Sequence, residues 1–306
     1  MAALAALALI LDALIGWPDV LFRRIGHPVT WLGRLIAGLD RGLNRGRMRR
    51  ARGALTVVLV VVAAALPAAL IQAWAGAWVA AVLAWPLVAA RSLDQHLRAV
   101  ARPLAAGDLA GARSATAMIV GRDVTRADAA ALSRASLESL SENASDGIIA
   151  PLFWAALAGL PGIAAYKAIN TMDSMIGHRT PRHADFGMVA ARLDDAVNLI
   201  PARLTAVLIA LAAGPRAGAA LRVAWRDAGA HRSPNAGWPE GAMAGALAVR
   251  LSGPRVYADR IAEEPWLNGA APDPGAADLS RGIALIRRAC LLAGAALIGV
   301  AVLQAG

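Results

Sequence analysis

The sequence predicts an all-α, polytopic integral membrane protein, with about three to five hydrophobic helices and with cytoplasmic helical segments between them. Apolar residues make up 58% of the 306 residues, and only 17% are charged. The 38 residues from Gly53 to Ala90 contain no charge at all. Globular chains contain more charge, about 25%. This composition excludes a disordered chain, a disulfide scaffold and an ordinary soluble enzyme.

The first third of the chain contains two hydrophobic segments. Residues 1–16 predict a hydrophobic helix, and because no basic stretch precedes it we expect it to be retained rather than cleaved as a signal peptide. Residues 54–90 approach the length of two spans, since one span needs about 20 residues. They therefore predict a helical hairpin, with its turn at Pro67 or in the stretch 72–76.

The positive charge is concentrated between these two segments. The chain carries a net charge of +10, and nine arginines and two aspartates lie between Trp17 and Gly53. The positive-inside rule places such a block on the cytoplasmic side of the cell membrane. We therefore predict a lipid bilayer as a partner, and no nucleic acid.

The charged segment 91–146 predicts cytoplasmic helices. Thr125 and Asp128 resemble a capping box that begins a helix, and turn-forming residues at 143–147 predict its end. Residues 147–214 then predict a core of polar motifs with re-entrant or short membrane helices. Its stretch 148–165 is uncharged but interrupted by proline and glycine, and its apolar stretch 204–215 is short for a span.

The last third of the chain predicts a cytoplasmic segment at 215–288 and a C-terminal membrane helix at 289–306. We find no internal repeat. The whole chain, 1–306, is thus predicted to be a single membrane-embedded domain.

Three acids precede an apolar run. Glu138 and Glu142 are four residues apart and share a helix face, and Asp146 follows them. Such acids form either a solvated face paired with arginine or a Mg²⁺ site, because Mg²⁺ prefers hard oxygen ligands. The apolar residues 147–154 place these acids at a membrane boundary, which favours the Mg²⁺ interpretation.

The stretch 166–179 contains the only lysine, Lys167, among 31 lysines and arginines. Its polar groups are denser than a lipid-facing helix permits. Lys167, Asn170 and Ser174 fall on one helical stripe, with Asp173 in the same stretch. The stripe faces either solvent, as in a soluble amphipathic helix, or a polar cavity.

A third polar block precedes the apolar stretch 204–215. Asp194 and Asn198 are one helical turn apart, and Asp195 adjoins Asp194. Adjacent acids next to an apolar segment are costly unless a cation neutralises them. The cation is either Arg192 or Arg203, or a divalent metal that bridges the acids to a nucleotide phosphate.

Two loops are also suited to binding. The basic stretch 178–183 suits an anion or ordinary solvent, and its two histidines are weak signals for a metal. Residues 233–240 have turn chemistry and join helices or contribute to a site. No G-x-x-x-x-G-K-[ST] or G-x-G-x-x-G motif occurs, so we expect any nucleotide to be held through Mg²⁺, carboxylates and arginine.

These blocks, in this order, resemble the CobD/CbiB family of cobalamin biosynthesis, the adenosylcobinamide-phosphate synthases. The resemblance covers residues 10–260. Ser141 and Ala144 depart from the pattern, but neither is a charged position. The matching residues are Asp12, Gly16, Pro18, His27, Pro28, Gly33 and the stretches 121–123, 138–154, 166–177, 186–203 and 233–240.

The resemblance implies a carbon–nitrogen ligase that forms an amide. Its substrates would be adenosylcobyric acid, a corrinoid, and (R)-1-amino-2-propanol phosphate or aminopropanol itself. Because forming an amide in water is uphill, we expect ATP and Mg²⁺ to activate the carboxylate. ATP and both substrates are cytoplasmic, so the resemblance predicts a multi-pass protein of the inner cell membrane whose active site faces the cytoplasm.

Joined to these motifs, the resemblance leads to the following assignments. Lys167 would stabilise an acyl phosphate or oxyanion, and Asp173 would take the amine proton. The candidate catalytic residues are Lys167, Asp173, Glu138, Asn170 and Ser174. The candidate substrate-binding residues are Arg122, Asp123, Asn143, Arg192, Asn198, Arg203, His178, Arg179, Ser233 and Asn235. The candidate Mg²⁺ ligands are Glu142, Asp146, Asp194 and Asp195.

Two other functions fit a polar membrane protein. A transporter would place similar groups near the membrane midplane, but would need two comparable halves. A non-catalytic scaffold or corrinoid-binding subunit for other corrinoid-pathway membrane enzymes would need no clustered acids beside a single lysine. The resemblance favours the enzyme, with those pathway enzymes as candidate partners.

Overall fold

The structure is a computed structural model that describes residues 1–256 and 261–305. The regular secondary structure of the described residues is helical apart from four two-residue strands, which confirms the predicted all-α class. The α-helices are α1 (Ala2–Ile15), α2 (Asp19–Ile25), α3 (Pro28–Leu43), α4 (Arg49–Ala84), α5 (Ala90–Ala105), α6 (Leu109–Ala117), α7 (Ala129–Ala144), α8 (Ala150–Met172), α9 (Met188–Ala212), α10 (Ala217–Asp227), α11 (Gly237–Leu247) and α12 (Ala276–Ala305).

Four helical stretches among the described residues are long and apolar enough to cross a membrane. They are Arg49–Ala105, Ala129–Gly177, Met188–Ala212 and Ala276–Ala305. A fifth is added if Ala2–Ile15 and Asp19–Leu43, which meet at 106°, count as one broken span or re-entrant loop. The chain therefore has the composition of the polytopic membrane protein that the sequence predicts.

The chain forms two compact units. The first contains Met1–Arg91, Ala150–Asn198 and Gly294–Gly306, and the second contains Ser92–Ile149 and Leu199–Ala293. The prediction of a single membrane-embedded domain stays a prediction.

The core of the first unit lies where α3, α4, α8 and the start of α9 meet. Phe186 is fully buried there, among apolar side chains that include Ile36, Val60 and Met172. Gly53 of α4 lies directly against the backbone of Phe186, just before α9. A Cβ at position 53 would be 1.9 Å from the Phe186 carbonyl oxygen. Glycine is therefore what lets α4 approach the segment that leads into α9.

Two long helices of the first unit are broken at glycine. The break in α4 is at Gly76, with φ 79°, within the stretch 72–76 that the sequence offered for a turn, whereas Pro67 stays inside the helix. The break in α8 is at Gly159, with φ 65°. There the Gln72 Oε1 atom accepts a hydrogen bond of 2.7 Å from the Leu160 amide, which satisfies a backbone donor that the break exposes. Residues 148–165 thus form a discontinuous helix.

Asp12 ties α1 to the start of α5. Its buried carboxylate accepts a 3.0 Å hydrogen bond from the Arg91 amide. The Arg91 guanidinium donates back to the Ala13 and Leu14 carbonyls at 3.1 and 3.0 Å. This exchange satisfies backbone groups at the end of one helix and the beginning of another.

The second unit contains a closely packed helix pair, α10 and α11. Glycines at every fourth position of α11 face α10, where added Cβ atoms would lie 2.6 to 2.8 Å from α10 and the turn that follows it. These glycines are Gly237, Gly241 and Gly245. Two short antiparallel ladders follow, pairing Leu251–Ser252 with Trp266–Leu267 and Arg255–Val256 with Ile261–Ala262.

The structure corrects two helix boundaries around α7. Asp128, not Thr125, is the N-cap, since its carboxylate accepts from the Ala131 amide at 2.8 Å. The turn expected at 143–147 is absent, and the helix continues through a π-helical turn at Ser145–Ile149. Asn143 donates to the Ser139 carbonyl at 2.8 Å, a bond directed back along the helix, so it does not end the helix.

Two later helices are longer than hydropathy alone predicts. The apolar stretch 204–215 is not a short separate helix, because the polar block before it continues into the 25-residue α9. The last helix, α12, begins at Ala276, well before residue 289. In both cases the helix includes polar residues that a hydropathy boundary leaves out.

Candidate functional site

The first unit brings the polar stripe of α8 against the polar block of α9. Asp194, which is 8% exposed, has its carboxylate 3.4 Å from the Asn170 amide nitrogen and 3.1 Å from that of Asn198. The Tyr166 hydroxyl donates to Asn198 Oδ1 at 3.0 Å. A predicted metal ligand, a predicted catalytic residue and a predicted substrate-binding residue therefore lie together.

Two further acids act on Asp194. Asp173, in the π-helical turn Asp173–Gly177, and Asp195 on α9 both repel its charge. His178 and Arg179 follow that turn on an exposed loop, where His178 lies within electrostatic reach of Asp173 and Arg179 within reach of Asp195. The result is an acidic cluster, Asp173, Asp194 and Asp195, with the basic side chains of His178 and Arg179 beside it.

Lys167 lies one turn before Asn170 on α8. It is half-buried and lies within electrostatic reach of the His27 imidazole at the start of α3. Ser174 is exposed, and its hydroxyl donates to the Asn170 carbonyl at 3.0 Å. Arg192 is exposed in the first turns of α9.

The predicted acid Glu138 lies in the second unit and is paired. It is 3% exposed, and its carboxylate accepts hydrogen bonds from the Arg122 guanidinium and, at 2.9 Å, from the Ser252 amide. The side chain of Arg122 is only 13% exposed. The ion pair joins the loop before α7 to α7 and neutralises both charges, and the bond from the Ser252 amide joins α7 to the strand Leu251–Ser252.

The other predicted residues of α7 and its preceding loop differ in burial. Asp123 is exposed and accepts hydrogen bonds from the Thr125 amide and hydroxyl, which lower its pKa. Glu142 and Asn143 are exposed on α7, and Asp146 is half-buried in the π-helical turn that follows. Asp123 thus shapes the loop before α7.

Arg203 is held in the second unit by three contacts. Its guanidinium donates to Asn235 Oδ1 at 3.1 Å and to the Leu199 carbonyl at 2.9 Å, and lies 4.7 Å from the centre of the Trp238 ring. Ser233 Oγ accepts from the Asn235 amide at 3.2 Å and shapes the turn before α11. The structure therefore brings together three predicted substrate-binding residues, Arg203, Ser233 and Asn235.

Tyr166 and Trp238 belong to these groups but were not candidate site residues, although each lies in a stretch that matches the family. Tyr166 is four residues before Asn170, so helical spacing could have indicated it. Trp238 lies inside the stretch 233–240, but its contact with Arg203 of α9 depends on how these distant segments pack.

The acidic cluster fits one mode of Mg²⁺ binding. Among the described residues, no group of three or more His, Cys, Asp or Glu side chains is arranged to hold a metal ion alone. Mg²⁺ bound with phosphates commonly uses only one or two protein carboxylates and fills its shell with phosphate oxygens and water. Asp194 with Asp173 or Asp195 matches that donor set, since its own neighbours are amides and acids rather than arginine.

Known proteins similar to this chain identify its family. The family model described as CobD/Cbib protein matches residues 5–286. The cobalamin biosynthesis protein CobD of Rhodobacter capsulatus is 61% identical, over 94% of this chain and 93% of its own length. Those of a Sinorhizobium species and of Klebsiella pneumoniae are 44% and 43% identical, over 97% and 96% of this chain and 97% and 95% of their own lengths. No solved structure matches this chain. The chain belongs to the CobD/CbiB family of cobalamin biosynthesis proteins.

Proposed function

We propose that this protein is an amide-forming ligase of cobalamin biosynthesis, an adenosylcobinamide-phosphate synthase. It joins a propionate carboxyl of adenosylcobyric acid to the amine of (R)-1-amino-2-propanol phosphate, or of aminopropanol. ATP activates the carboxylate. The protein acts in the inner cell membrane, with its site open to the cytoplasm, where other corrinoid-pathway membrane enzymes are candidate partners.

One observation carries this proposal. The buried Asp194 carboxylate is held by two carboxamides and lies within electrostatic reach of two more acids. A structural role would favour an arginine partner, because a buried charge without a counter-charge is costly. This arrangement suits a phosphate-bound cation, and the single lysine lies one turn from Asn170 on the same helix.

The reaction has two balanced steps. A propionate oxygen attacks the γ-phosphorus of ATP, so that an O–P bond forms and the bond to ADP breaks. The amine nitrogen then attacks the acyl carbon, a C–N bond forms and inorganic phosphate leaves. Mg²⁺, when bound, neutralises phosphate charge during the transfer.

The side chains of this protein would position and neutralise the reacting groups. Lys167 would bind the oxygen that becomes negative, since an ammonium is a compact point charge. Asp173 would accept the proton that the amine loses. Asn170 and Asn198 would orient Asp194 toward the cation. His178 and Arg179 would bind the phosphate of the amine substrate.

Direct synthesis tests the function. Purified protein in liposomes would be incubated with adenosylcobyric acid, aminopropanol phosphate, ATP and Mg²⁺, and the corrinoid mass would be followed. We expect the mass of the amide, and no product when ATP or Mg²⁺ is omitted. The Asp194→Asn variant should lose the product. Asp128→Asn is the matched control, because asparagine caps a helix as well as aspartate does.

The alternative outcomes are distinct. A folded protein that binds the corrinoid but forms no product would favour the scaffold over the enzyme. Product formed without ATP would retain the ligase and refute activation by phosphoryl transfer.

Orientation is tested by labelling in intact cells. A Thr180→Cys variant, made in a Cys290→Ala background, should react with an impermeant thiol reagent only after the cytoplasm is opened. Thr125→Cys, in the segment predicted to be cytoplasmic, is the control and should behave alike. Labelling of Thr180→Cys from outside would refute the cytoplasmic site.

A further inference from the structure

The loop between α8 and α9 is anchored at a single buried acid of α3. Asp40, 9% exposed, accepts hydrogen bonds from Arg182 Nη2 at 2.6 Å and Nε at 3.2 Å. His183 Nε2 lies 3.4 Å from the other carboxylate oxygen. A two-nitrogen contact from one guanidinium fixes the orientation of the arginine as well as its distance. Asp40 is not a predicted site residue, and Arg182 was predicted only as part of the basic stretch 178–183.

Neighbouring side chains reinforce the anchor. Asn44 donates to Asp40 at 2.8 Å and to the Arg182 carbonyl at 3.1 Å. Arg49 donates to Asn44 Oδ1 at 2.7 Å and also to the Arg182 carbonyl. The loop backbone and the Arg182 side chain are therefore both held by α3 and α4.

The C-terminal end of the same loop is also fixed. Phe186 is buried in the core of the first unit. Gly187 packs so tightly that an added Cβ would be 1.7 Å from the Ile176 carbonyl oxygen. The anchored segment, residues 181–187, is thus held by an ion pair at one end and by apolar packing at the other.

The N-terminal end of the loop carries two basic side chains. His178 and Arg179 are exposed, only a few residues from Arg182, and their charges act on Asp173 and Asp195. A flexible loop would lose much conformational entropy on binding a ligand, whereas an anchored one loses less. The anchor therefore sets where these two basic side chains lie relative to the acidic cluster.

We propose that Asp40 is a positioning residue for the amine substrate. Through Arg182 it holds the loop so that His178 and Arg179 bind the phosphate of a phosphomonoester amine beside the acidic cluster. This inference rests on the proposed ligase function. It predicts that the KM for the phosphorylated amine depends on Asp40, whereas the KM for the unphosphorylated amine does not.

Kinetics and proteolysis test the proposal together. In Asp40→Asn we expect the KM for aminopropanol phosphate to rise about tenfold, with kcat and the KM for aminopropanol little changed. Trypsin cleavage after Arg179 in the liposome-bound protein should accelerate. The exchange variant, Asp40→Arg with Arg182→Asp, should partly restore both the wild-type KM for aminopropanol phosphate and the wild-type resistance to cleavage. Asp19→Asn, an exposed aspartate of α2, is the matched control and should change neither.

Each outcome decides a separate claim. Unchanged proteolysis in Asp40→Asn would overturn the anchor. Faster cleavage with an unchanged KM would overturn the role in substrate binding, as would an equal rise in KM for both amines. If the wild type makes no amide, the proposed function fails, and with it the substrate role. The proteolysis of Asp40→Asn and its exchange variant then still decides the anchor.

Discussion

Two buried acids, Glu138 in the second unit and Asp194 in the first, have opposite surroundings. Glu138 is paired with Arg122 and caps the Ser252 amide. Asp194 is bound by the amides of Asn170 and Asn198 and is repelled by other acids. Both lie in polar motifs that precede an apolar run, so their positions in the sequence do not distinguish their roles.

The partners of a buried carboxylate indicate its role. A charge whose partner is an arginine is already neutralised, and it contributes to stability chiefly because removing either partner leaves the other unpaired. A charge that is held by neutral donors among like charges retains its capacity for a cation. We therefore expect Glu138 to affect folding and Asp194 to affect function.

The largest effect should come from Glu138→Gln. It leaves the Arg122 charge unpaired in a largely buried position, which lowers the unfolding free energy by roughly 3–5 kcal/mol. Thermal unfolding in detergent measures this loss. Replacing both charges, Glu138→Gln with Arg122→Gln, should cost less than the single change. A single variant as stable as wild type but inactive would instead make Glu138 a catalytic residue.

Asp194→Asn should have the opposite effect, a loss of activity without a loss of stability. We expect ligase turnover to fall about hundredfold or more, a loss of about 2.7 kcal/mol in transition-state stabilisation. Thermal stability should stay equal or rise, because the change removes repulsion with Asp173 and Asp195. Activity within threefold of wild type, measured from the corrinoid product, would show that Asp194 binds no essential cation.

Tyr166→Phe should have a smaller effect on the same site. It removes the hydrogen bond that orients Asn198, which is worth about 1 kcal/mol, so kcat/KM should fall about fivefold without unfolding. In the Asp194→Asn background the same change should cost little more, since both act through one network. Additive losses would show that Tyr166 acts elsewhere.

The smallest effect is a loss of stability at low pH, which arises from the ion pairs of Asp273 in the second unit. The hydrogen bond from Arg250, together with the charge of Arg134, lowers the pKa of Asp273 below its ordinary value of 3.8. A lowered folded-state pKa stabilises the protein above pH 3.8, and this stability is lost as pH falls through the folded-state pKa. Thermal unfolding above and below that pH should show the loss in wild type. The Asp273→Asn variant should lack this component, and an equal loss in both would contradict the assignment.

Much of the fold and part of the site could be predicted from local pattern. Hydropathy indicated the membrane class, and three-to-four-residue spacing placed Lys167, Asn170 and Ser174 on one stripe. The helix boundaries were harder to predict. Asn143 was expected to end a helix, but the helix continues past it. Its side-chain amide donates a hydrogen bond to the carbonyl of Ser139 in the preceding turn. A polar block also lengthened α9, which hydropathy alone could not show.

Residue type and spacing along one helix were enough to indicate the membrane helices, the family, and the acids and amides that can serve a site. The partner of each acid became visible only in the folded chain. Arg122 reaches Glu138, Asn170 reaches Asp194, and Arg182 reaches Asp40 across separate segments. Such contacts depend on how distant segments pack, and a periodic pattern carries no information about that choice.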